Sequence, residues 1–332
     1  MEKDPISLSL STTVAGITLK KTLLNSSNPF ATSFKDLQLL ADSKASGAIA
    51  TRTACPNFVH DDTKHQWRNY ESGNTINCLG YSCNSFEYYI NTVKHDLKTD
   101  KPVFISISGY AQEIATMLEE TANSFPESSE KNVLVEINLS CPNIAGKPPI
   151  AYDFDGMKEY LSIVFEKGSF GLNIGVKLTP YFYEDQFVLA SSVINSFSEY
   201  IAFVTTINTV GCGLVVDIES EAPVLADASG ASYGGLGGPA VHSTALGNVR
   251  RLRQLLEKDI DIIGCGGVDS GKAAFSHLLC GAKAVMVASA LLTHGVDIFD
   301  KIESELGEIM IKKNYTSIED FQGKLKDGWE TD

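Results

Sequence analysis

The strongest constraint on the fold is a regular alternation of short apolar, β-prone segments with segments of helical pattern. Eight apolar segments occur, and a helical segment follows each of them along the chain. They are residues 22–25, 47–51, 102–107, 132–138, 173–178, 201–207, 259–264 and 282–288. Continuous apolar strands are typical of parallel sheets buried on both faces. The alternation therefore favours a closed (β/α)8 TIM barrel over an open doubly wound sheet.

The rest of the chain is predicted to form a hairpin and long loops attached to this barrel. No linker-like composition shift, repeat or low-complexity tract interrupts the sequence, so we expect one domain over residues 1–332. Residues 7–20 alternate between polar and apolar, which predicts an N-terminal hairpin. Residues 54–77 and 208–238 lack the alternation and are predicted as long inserted loops over the C-terminal mouth.

Charge and cysteine content exclude several functions. The formal net charge is −14, so nucleic acid and anionic membranes are not expected partners, and an anionic substrate needs a local positive site. The seven cysteines are scattered and show no CxxC pair or Cys/His metal spacing, which predicts reduced thiols, no metal site and a cytoplasmic location. No apolar segment approaches membrane-spanning length, and the N-terminus lacks a signal-type run.

Polar residues and glycines gather where the predicted strands end, which in such a barrel is the mouth that carries catalysis. Lys177 ends one strand, and a lysine there is costly unless it meets an anion or an electron-rich ring. Gly266 and Gly267 follow the seventh strand, and Ser289 follows the eighth. Loops in these two positions commonly bind phosphate through backbone N–H groups, and simple tight turns are the alternative reading.

The densest polar cluster follows the strand that ends in Glu136-Ile137-Asn138. Two carboxamides, Asn138 and Asn143, flank the thiol of Cys141. Amides offer both donors and acceptors without charge, which suits a neutral heterocycle with C=O and N–H groups. Cys141 can take a proton once ionised or attack as a nucleophile, and a buried, inert cysteine in a capped strand end is the alternative.

The run from Asn138 to Asn143, with Gly146-Lys147-Pro148, resembles the dihydroorotate dehydrogenases, specifically the soluble, fumarate-linked class. The resemblance covers nearly the whole chain. It includes residues 77–80, 175–178, 208–209, 234–238 and 263–267. Cys141 is specific, because the membrane-bound, quinone-linked class has Ser at this position.

This resemblance implies a homodimeric barrel that binds FMN and oxidises a 5,6-dihydropyrimidine, by default dihydroorotate with fumarate as the small electron acceptor. It implies that Cys141 is the general base at C5 and that the hydride from C6 goes to N5 of FMN. The implied substrate-binding residues are Arg52, Asn77, Leu79, Gly80, Tyr81, Asn138, Asn143, Asn208 and Thr209. The implied FMN-binding residues are Ser27, Arg52, Thr53, Asn138, Lys177, Ile207, Gly238, Gly266, Gly267, Ala288 and Ser289.

Four departures from the family pattern leave two candidate substrates for the protein. Arg52 stands where the family usually has Lys, residues 26–28 replace Ala-Ser-Gly, residues 81–83 replace Leu-Pro-Asn, and Ala288 replaces Gly. Residues 81–83 fall in the loop that holds the substrate carboxylate in the family. The alternative is therefore a paralogue that oxidises dihydrouracil or a similar uncharged ring, with oxygen as a candidate acceptor. A non-catalytic barrel that binds flavin or pyrimidine is a third reading, disfavoured because Cys141 and Lys177 are both present.

Overall fold

The computed structural model describes residues 8–56, 67–79, 84–126, 132–140, 149–226 and 232–326. In chain order the strands are β1 (Thr12–Val14), β2 (Ile17–Leu19), β3 (Leu23–Asn25), β4 (Ile49–Ala50), β5 (Trp67–Tyr70), β6 (Asn74–Asn77), β7 (Val103–Ile107), β8 (Val133–Asn138), β9 (Asn173–Leu178), β10 (Ile201–Thr206), β11 (Val210–Gly213), β12 (Val216–Asp217), β13 (Ala222–Pro223), β14 (Gly234–Gly237), β15 (Asp261–Cys265) and β16 (Ala284–Val287). The helices are α1 (Phe34–Asp42), α2 (Phe86–Asn91), α3 (Ala111–Ser124), α4 (Phe154–Val164), α5 (Glu184–Asn195), α6 (His242–Leu255), α7 (Gly271–Cys280), α8 (Ser289–His294) and α9 (Asp297–Lys312).

Eight parallel strands form the barrel in the order β3, β16, β15, β10, β9, β8, β7, β4. Contacts between β3 and β4 close the ring. The Gly47 N–H donates to the Leu23 carbonyl at 2.7 Å. The buried Asn25 side chain donates to the Ala50 carbonyl at 2.7 Å and accepts from the Ala50 N–H at 2.9 Å. The predicted (β/α)8 barrel is confirmed, and each predicted barrel strand overlaps an observed one.

The barrel interior is apolar towards the N-terminal ends of the strands. Leu134, Phe203 and Ile263 belong to one fully buried cluster inside the ring. Val14 and Leu19 of the predicted hairpin, observed as β1 and β2, pack into the same cluster. The hairpin therefore closes this end of the barrel and leaves the opposite end open for a site.

Capping residues and buried apolar faces explain where the helices form. Ser33 caps α1, and its hydroxyl and the Asp36 carboxylate form a reciprocal capping box. Phe86, Tyr89 and Val93, at helical spacing, are buried in the outer core. Helix α2 is followed directly by a π-helical turn at Thr92–Asp96.

The two long insertions were expected to be loops, but their described parts contain strands. Strands β5, β6, β14 and β11 form an antiparallel sheet outside the barrel. The pattern misses it because β14 reads Gly-Gly-Leu-Gly and glycine is depleted in strands. The register pairs Gly235 with Asn77 and Gly237 with Thr75, so the sheet brings the two insertions together over the mouth.

Within the described part of the chain, no helix combines the length and apolarity that a membrane span requires. The five cysteines that are described, Cys55, Cys78, Cys212, Cys265 and Cys280, are all free thiols.

Candidate active site

A cavity of about 480 Å³ opens at the C-terminal ends of the barrel strands. Every barrel strand except β7 contributes residues at or just after its C-terminal end, and the insertion sheet adds Thr75, Asn77 and Leu236. The volume lies in the range of pockets that enclose small molecules and cofactors. Barrel and insertions together therefore form one enclosed site.

The cavity is lined by every predicted site residue that the structure describes. These are Ser27, Arg52, Thr53, Asn77, Leu79, Asn138, Lys177, Ile207, Asn208, Thr209, Gly238, Gly266, Gly267, Ala288 and Ser289. Gly80, Tyr81, Cys141 and Asn143 lie outside the described residues. The roles of the predicted base and of the predicted substrate loop thus stay predictions.

Several lining residues were not predicted from the sequence. Trp67 and Thr75 come from the insertion sheet, and His294 comes from the end of α8. Lys301 reaches the cavity from α9, where its Nζ donates to the Asp269 carbonyl at 2.9 Å. Of the unpredicted lining residues, only Gly237 lies in a sequence motif, the glycine-rich run, that could have indicated it. The other residues reach the cavity through tertiary contacts that no local pattern shows.

The cavity is locally positive in a strongly acidic chain. Arg52, Lys177 and Lys301 all line it, whereas Asp269 is its one acidic residue among those the structure describes. The chain as a whole carries a formal charge of −14. This is the local positive site that an anionic ligand requires, and low-dielectric walls strengthen its field.

Lys177 forms part of the cavity floor. It is 3% exposed, and its Nζ donates to the Ser26 hydroxyl at 2.8 Å. The neighbouring Cys265 thiol has a raised pKa because it is buried, an effect that Lys177 partly opposes. Among the described residues Lys177 forms no ion pair, so its charge can act on whatever occupies the cavity.

Two carboxamides beside the cavity have fixed orientations. The Asn138 Oδ1 accepts from the Ser140 N–H at 3.1 Å, and its Nδ2 donates to the Thr53 hydroxyl at 3.1 Å. The Asn208 Nδ2 donates to the Ser140 hydroxyl at 3.0 Å, and its Oδ1 accepts from the Thr209 N–H at 2.8 Å. A backbone N–H can only donate, so neither amide can flip without losing a bond. Both amides therefore keep fixed donor and acceptor directions beside the cavity.

Glycines let backbone approach the cavity at two places. A Cβ on Gly237 would lie 2.9 Å from the hydroxyl oxygens of both Ser289 and Thr75. Gly266 and Gly267 follow β15 with φ of +125° and +70°, a region that side chains disfavour. A Cβ on Gly266 would crowd Ala245 and one on Gly267 would crowd His242, so these two glycines let the loop pack against α6 while it lines the cavity.

Comparison with known proteins agrees with this geometry. The dihydroorotate dehydrogenase family model matches residues 9–310. The dihydroorotate dehydrogenase (fumarate) of Saccharomyces mikatae is 39% identical over 322 residues, which cover 96% of this chain and 98% of that protein. The Trypanosoma cruzi protein of the same name is 39% identical over 307 residues, or 91% of this chain and 94% of that one. Dihydroorotate dehydrogenase A (fumarate) of Lactococcus lactis subsp. cremoris is 37% identical over 321 residues, covering 96% and 99% of the two chains. As the motif around Cys141 predicted, the chain belongs to the dihydroorotate dehydrogenase family.

Proposed function

We propose that this protein oxidises dihydroorotate to orotate with FMN as its cofactor and fumarate as the electron acceptor. The observation that carries the proposal is one locally positive cavity at a barrel mouth, lined by Lys177 and by the oriented amides of Asn138 and Asn208. Family membership and relatives named for this reaction support it.

The described residues fit FMN. Lys177 is a buried cation beside a cavity large enough for a ring system, as expected for a residue that lies against a flavin. Gly266 and Gly267 follow β15, Ser289 follows the neighbouring strand β16, and all three line the cavity. Lys301 also lines the cavity, with its Nζ 3.2 Å from the Glu305 carboxylate. When bound, FMN supplies the hydride acceptor for the reaction.

The protein's own residues bind and orient the substrate and move its proton. Asn138 and Asn208 would hold the amide edges of the dihydropyrimidine, since each presents a fixed carboxamide. Asn143 and Thr209 would complete this set. Cys141 would then take the proton from C5 as the general base, a role that typically contributes about 10²- to 10⁴-fold in rate.

The substrate carboxylate requires donors, because an unpaired buried charge is expensive. Arg52 is 4% exposed and lines the cavity, and its Nη1 donates to the Thr32 hydroxyl at 3.3 Å. A guanidinium held in this way suits bidentate pairing with a carboxylate. Asn77 also lines the cavity, and its amide donates to the Gly235 carbonyl at 3.0 Å. Arg52 therefore supports dihydroorotate over an uncharged ring.

The substrate assignment is tested by kcat/KM for dihydroorotate and dihydrouracil, measured side by side in wild type and in Tyr81→Leu. We expect dihydroorotate to be the better substrate of the wild type, because Arg52 offers the carboxylate a partner. Efficient oxidation of dihydrouracil with dihydroorotate inert, together with a gain of dihydroorotate activity in Tyr81→Leu, would establish the alternative paralogue.

We also propose that the protein is a homodimer. The segment that carries β12 leaves Leu214, Val216 and Ile218 exposed, the last at 79%. Large apolar side chains clustered on one surface segment are typical of protein interfaces. Sedimentation of Ile218→Asp should show dissociation, whereas Ile311→Asp, at an exposed position on α9, should leave the assembly intact. Equal behaviour of the two variants would place the interface elsewhere.

We propose a cytoplasmic location and one domain for the chain, for the reasons given by its sequence. The free thiols among the described cysteines are compatible with a reducing compartment. Fractionation of source cells, followed by immunodetection of the chain, tests the location.

A further inference from the structure

A buried acid lies directly beneath the candidate site. Glu136 is 0% exposed and belongs to β8, between Leu134 of the barrel's inner cluster and Asn138 of the cavity. Alternate residues of a strand share one face, so all three side chains point into the barrel. Burying a carboxyl group is costly unless hydrogen bonds compensate it. The site chemistry proposed above gives Glu136 no role.

Two hydroxyl groups donate to this acid. The Thr205 hydroxyl donates to Oε2 at 2.7 Å, and the Ser106 hydroxyl donates to Oε1 at 3.4 Å. Thr205 and Ser106 are themselves fully buried, on the strands β10 and β7. Both carboxylate oxygens therefore act as acceptors within the barrel interior.

From Ser106 a chain of hydrogen bonds leads to the cavity. The Ser106 and Thr53 hydroxyl oxygens are 2.9 Å apart, and those of Thr53 and Ser27 are also 2.9 Å apart. The Asn138 Nδ2 joins the chain at Thr53, with a distance of 3.1 Å. Ser27, Thr53 and Asn138 all line the cavity, whereas Ser106 and Glu136 do not contribute to its wall.

The acid determines the direction of every bond in this chain. A carboxylate can only accept, so the Ser106 hydroxyl donates to Glu136. Ser106 must then accept from the Thr53 hydroxyl. Thr53 then accepts from both Asn138 and Ser27. The Ser27 hydroxyl donates to Thr53, so it presents only lone pairs to the cavity. If Ser106 lost its acceptor, each hydroxyl could turn, and the Ser27 proton could point into the cavity instead.

We infer that Glu136 is a positioning residue that acts through Ser106 and Thr53, so that Ser27 offers an acceptor to an N–H group of the bound flavin. This inference rests on the proposed FMN site. It assigns a task to an acid that touches neither cofactor nor substrate. It also explains why a carboxylate is held beneath a cavity that binds anions.

The test compares two substitutions that each remove one hydrogen bond to Glu136. Ser106→Ala cuts the chain between the acid and the cavity, whereas Thr205→Val leaves the chain intact and serves as the matched control. FMN dissociation constants and visible spectra of the bound flavin are measured for both. We expect Ser106→Ala to weaken FMN binding roughly 2- to 12-fold, the net effect of one hydrogen bond, and to shift the flavin band. Thr205→Val should leave both quantities at the wild-type level.

A double-mutant cycle separates positioning from general loosening of the barrel. If Glu136 acts through Ser106, the double variant Glu136→Gln/Ser106→Ala should bind FMN no more weakly than the weaker single variant. Additive losses, or equal losses in Ser106→Ala and Thr205→Val, would overturn the inference. Should Glu136→Gln not fold, the comparison of Ser106→Ala with Thr205→Val decides alone. Absence of FMN binding in the wild type would instead refute the proposed cofactor, and the inference with it.

Discussion

Acid sensitivity of the fold should depend on one buried histidine beneath the glycine loop. His277 on α7 is 0% exposed, and its Nε2 lies 3.0 Å from the Gly266 carbonyl. A carbonyl only accepts, so Nε2 carries the proton and Nδ1 is the unprotonated nitrogen. Within the described residues Nδ1 has no hydrogen-bond partner. Protonation would therefore place an uncompensated charge in the interior.

The size of the stability loss follows from the pKa of His277. Burial lowers the pKa of His277 from its ordinary 6.5 to about 4, and the nearby His242 adds to the effect. Between these values the unfolded chain binds more protons than the folded chain, so stability falls as the pH falls. The contribution is fully present above pH 6.5 and is lost progressively towards pH 4, where the loss amounts to about 3 kcal/mol.

The assay is urea unfolding of wild type and His277→Gln at several pH values from 7.5 to 4.5. The glutamine amide can still donate to the Gly266 carbonyl, but it does not titrate. We expect the wild type to lose stability across this range and the variant to lose markedly less. The pKa of Asp261 is raised by burial and acts in the opposite direction, but both proteins share it. His95→Gln, at an exposed position, should retain the wild-type slope.

Identical pH slopes for wild type and His277→Gln would refute this reasoning. That result would mean that His277 titrates equally in the folded and unfolded states, and that its burial does not exclude the charged form.

Three further predictions follow from the site and the barrel. Cys141→Ala should retain FMN and slow flavin reduction by about 10²- to 10⁴-fold in stopped-flow measurements, while Cys141→Ser should keep a residual reduction rate that rises with pH. Reduction at the wild-type rate in Cys141→Ala would show that Cys141 is not the general base. Gly237→Ala should weaken FMN binding about tenfold or more by titration, because its Cβ would crowd Ser289. Gly247→Ala, with open space around it, should not weaken binding, and equal affinities of the two variants would contradict the close approach. Asn25→Ala should cost about 3 kcal/mol in urea unfolding, since two buried peptide groups of β4 lose their partner, and a loss below about 1 kcal/mol would contradict this.

The sequence was sufficient for the barrel and for much of its mouth. Each barrel strand is built mainly from apolar residues, so its position could be predicted without tertiary information. Strand ends then indicated which polar residues meet, which is why Arg52, Lys177 and Asn208 were expected in one cavity before the fold was known.

The remainder depended on contacts between distant segments. The insertion sheet was missed because its strands are rich in glycine and polar residues, and it forms only when two insertions pair. Lys301 lies on the last long helix, and no local pattern links it to the mouth. Glu136 was visible in the motif as a charged residue in a buried strand. Its partners Ser106 and Thr205 are on other strands, so its connection to the cavity could not be predicted.

The central claim is that the cavity holds FMN which dihydroorotate reduces. The most direct measurement mixes purified, FMN-loaded protein with dihydroorotate in the absence of oxygen and any other acceptor, and follows the visible flavin absorbance together with orotate formation. The account predicts bleaching with one orotate formed per flavin, and return of the yellow colour when fumarate is added. A flavin that stays oxidised with dihydroorotate but bleaches with dihydrouracil, or a protein that binds no FMN, would contradict it.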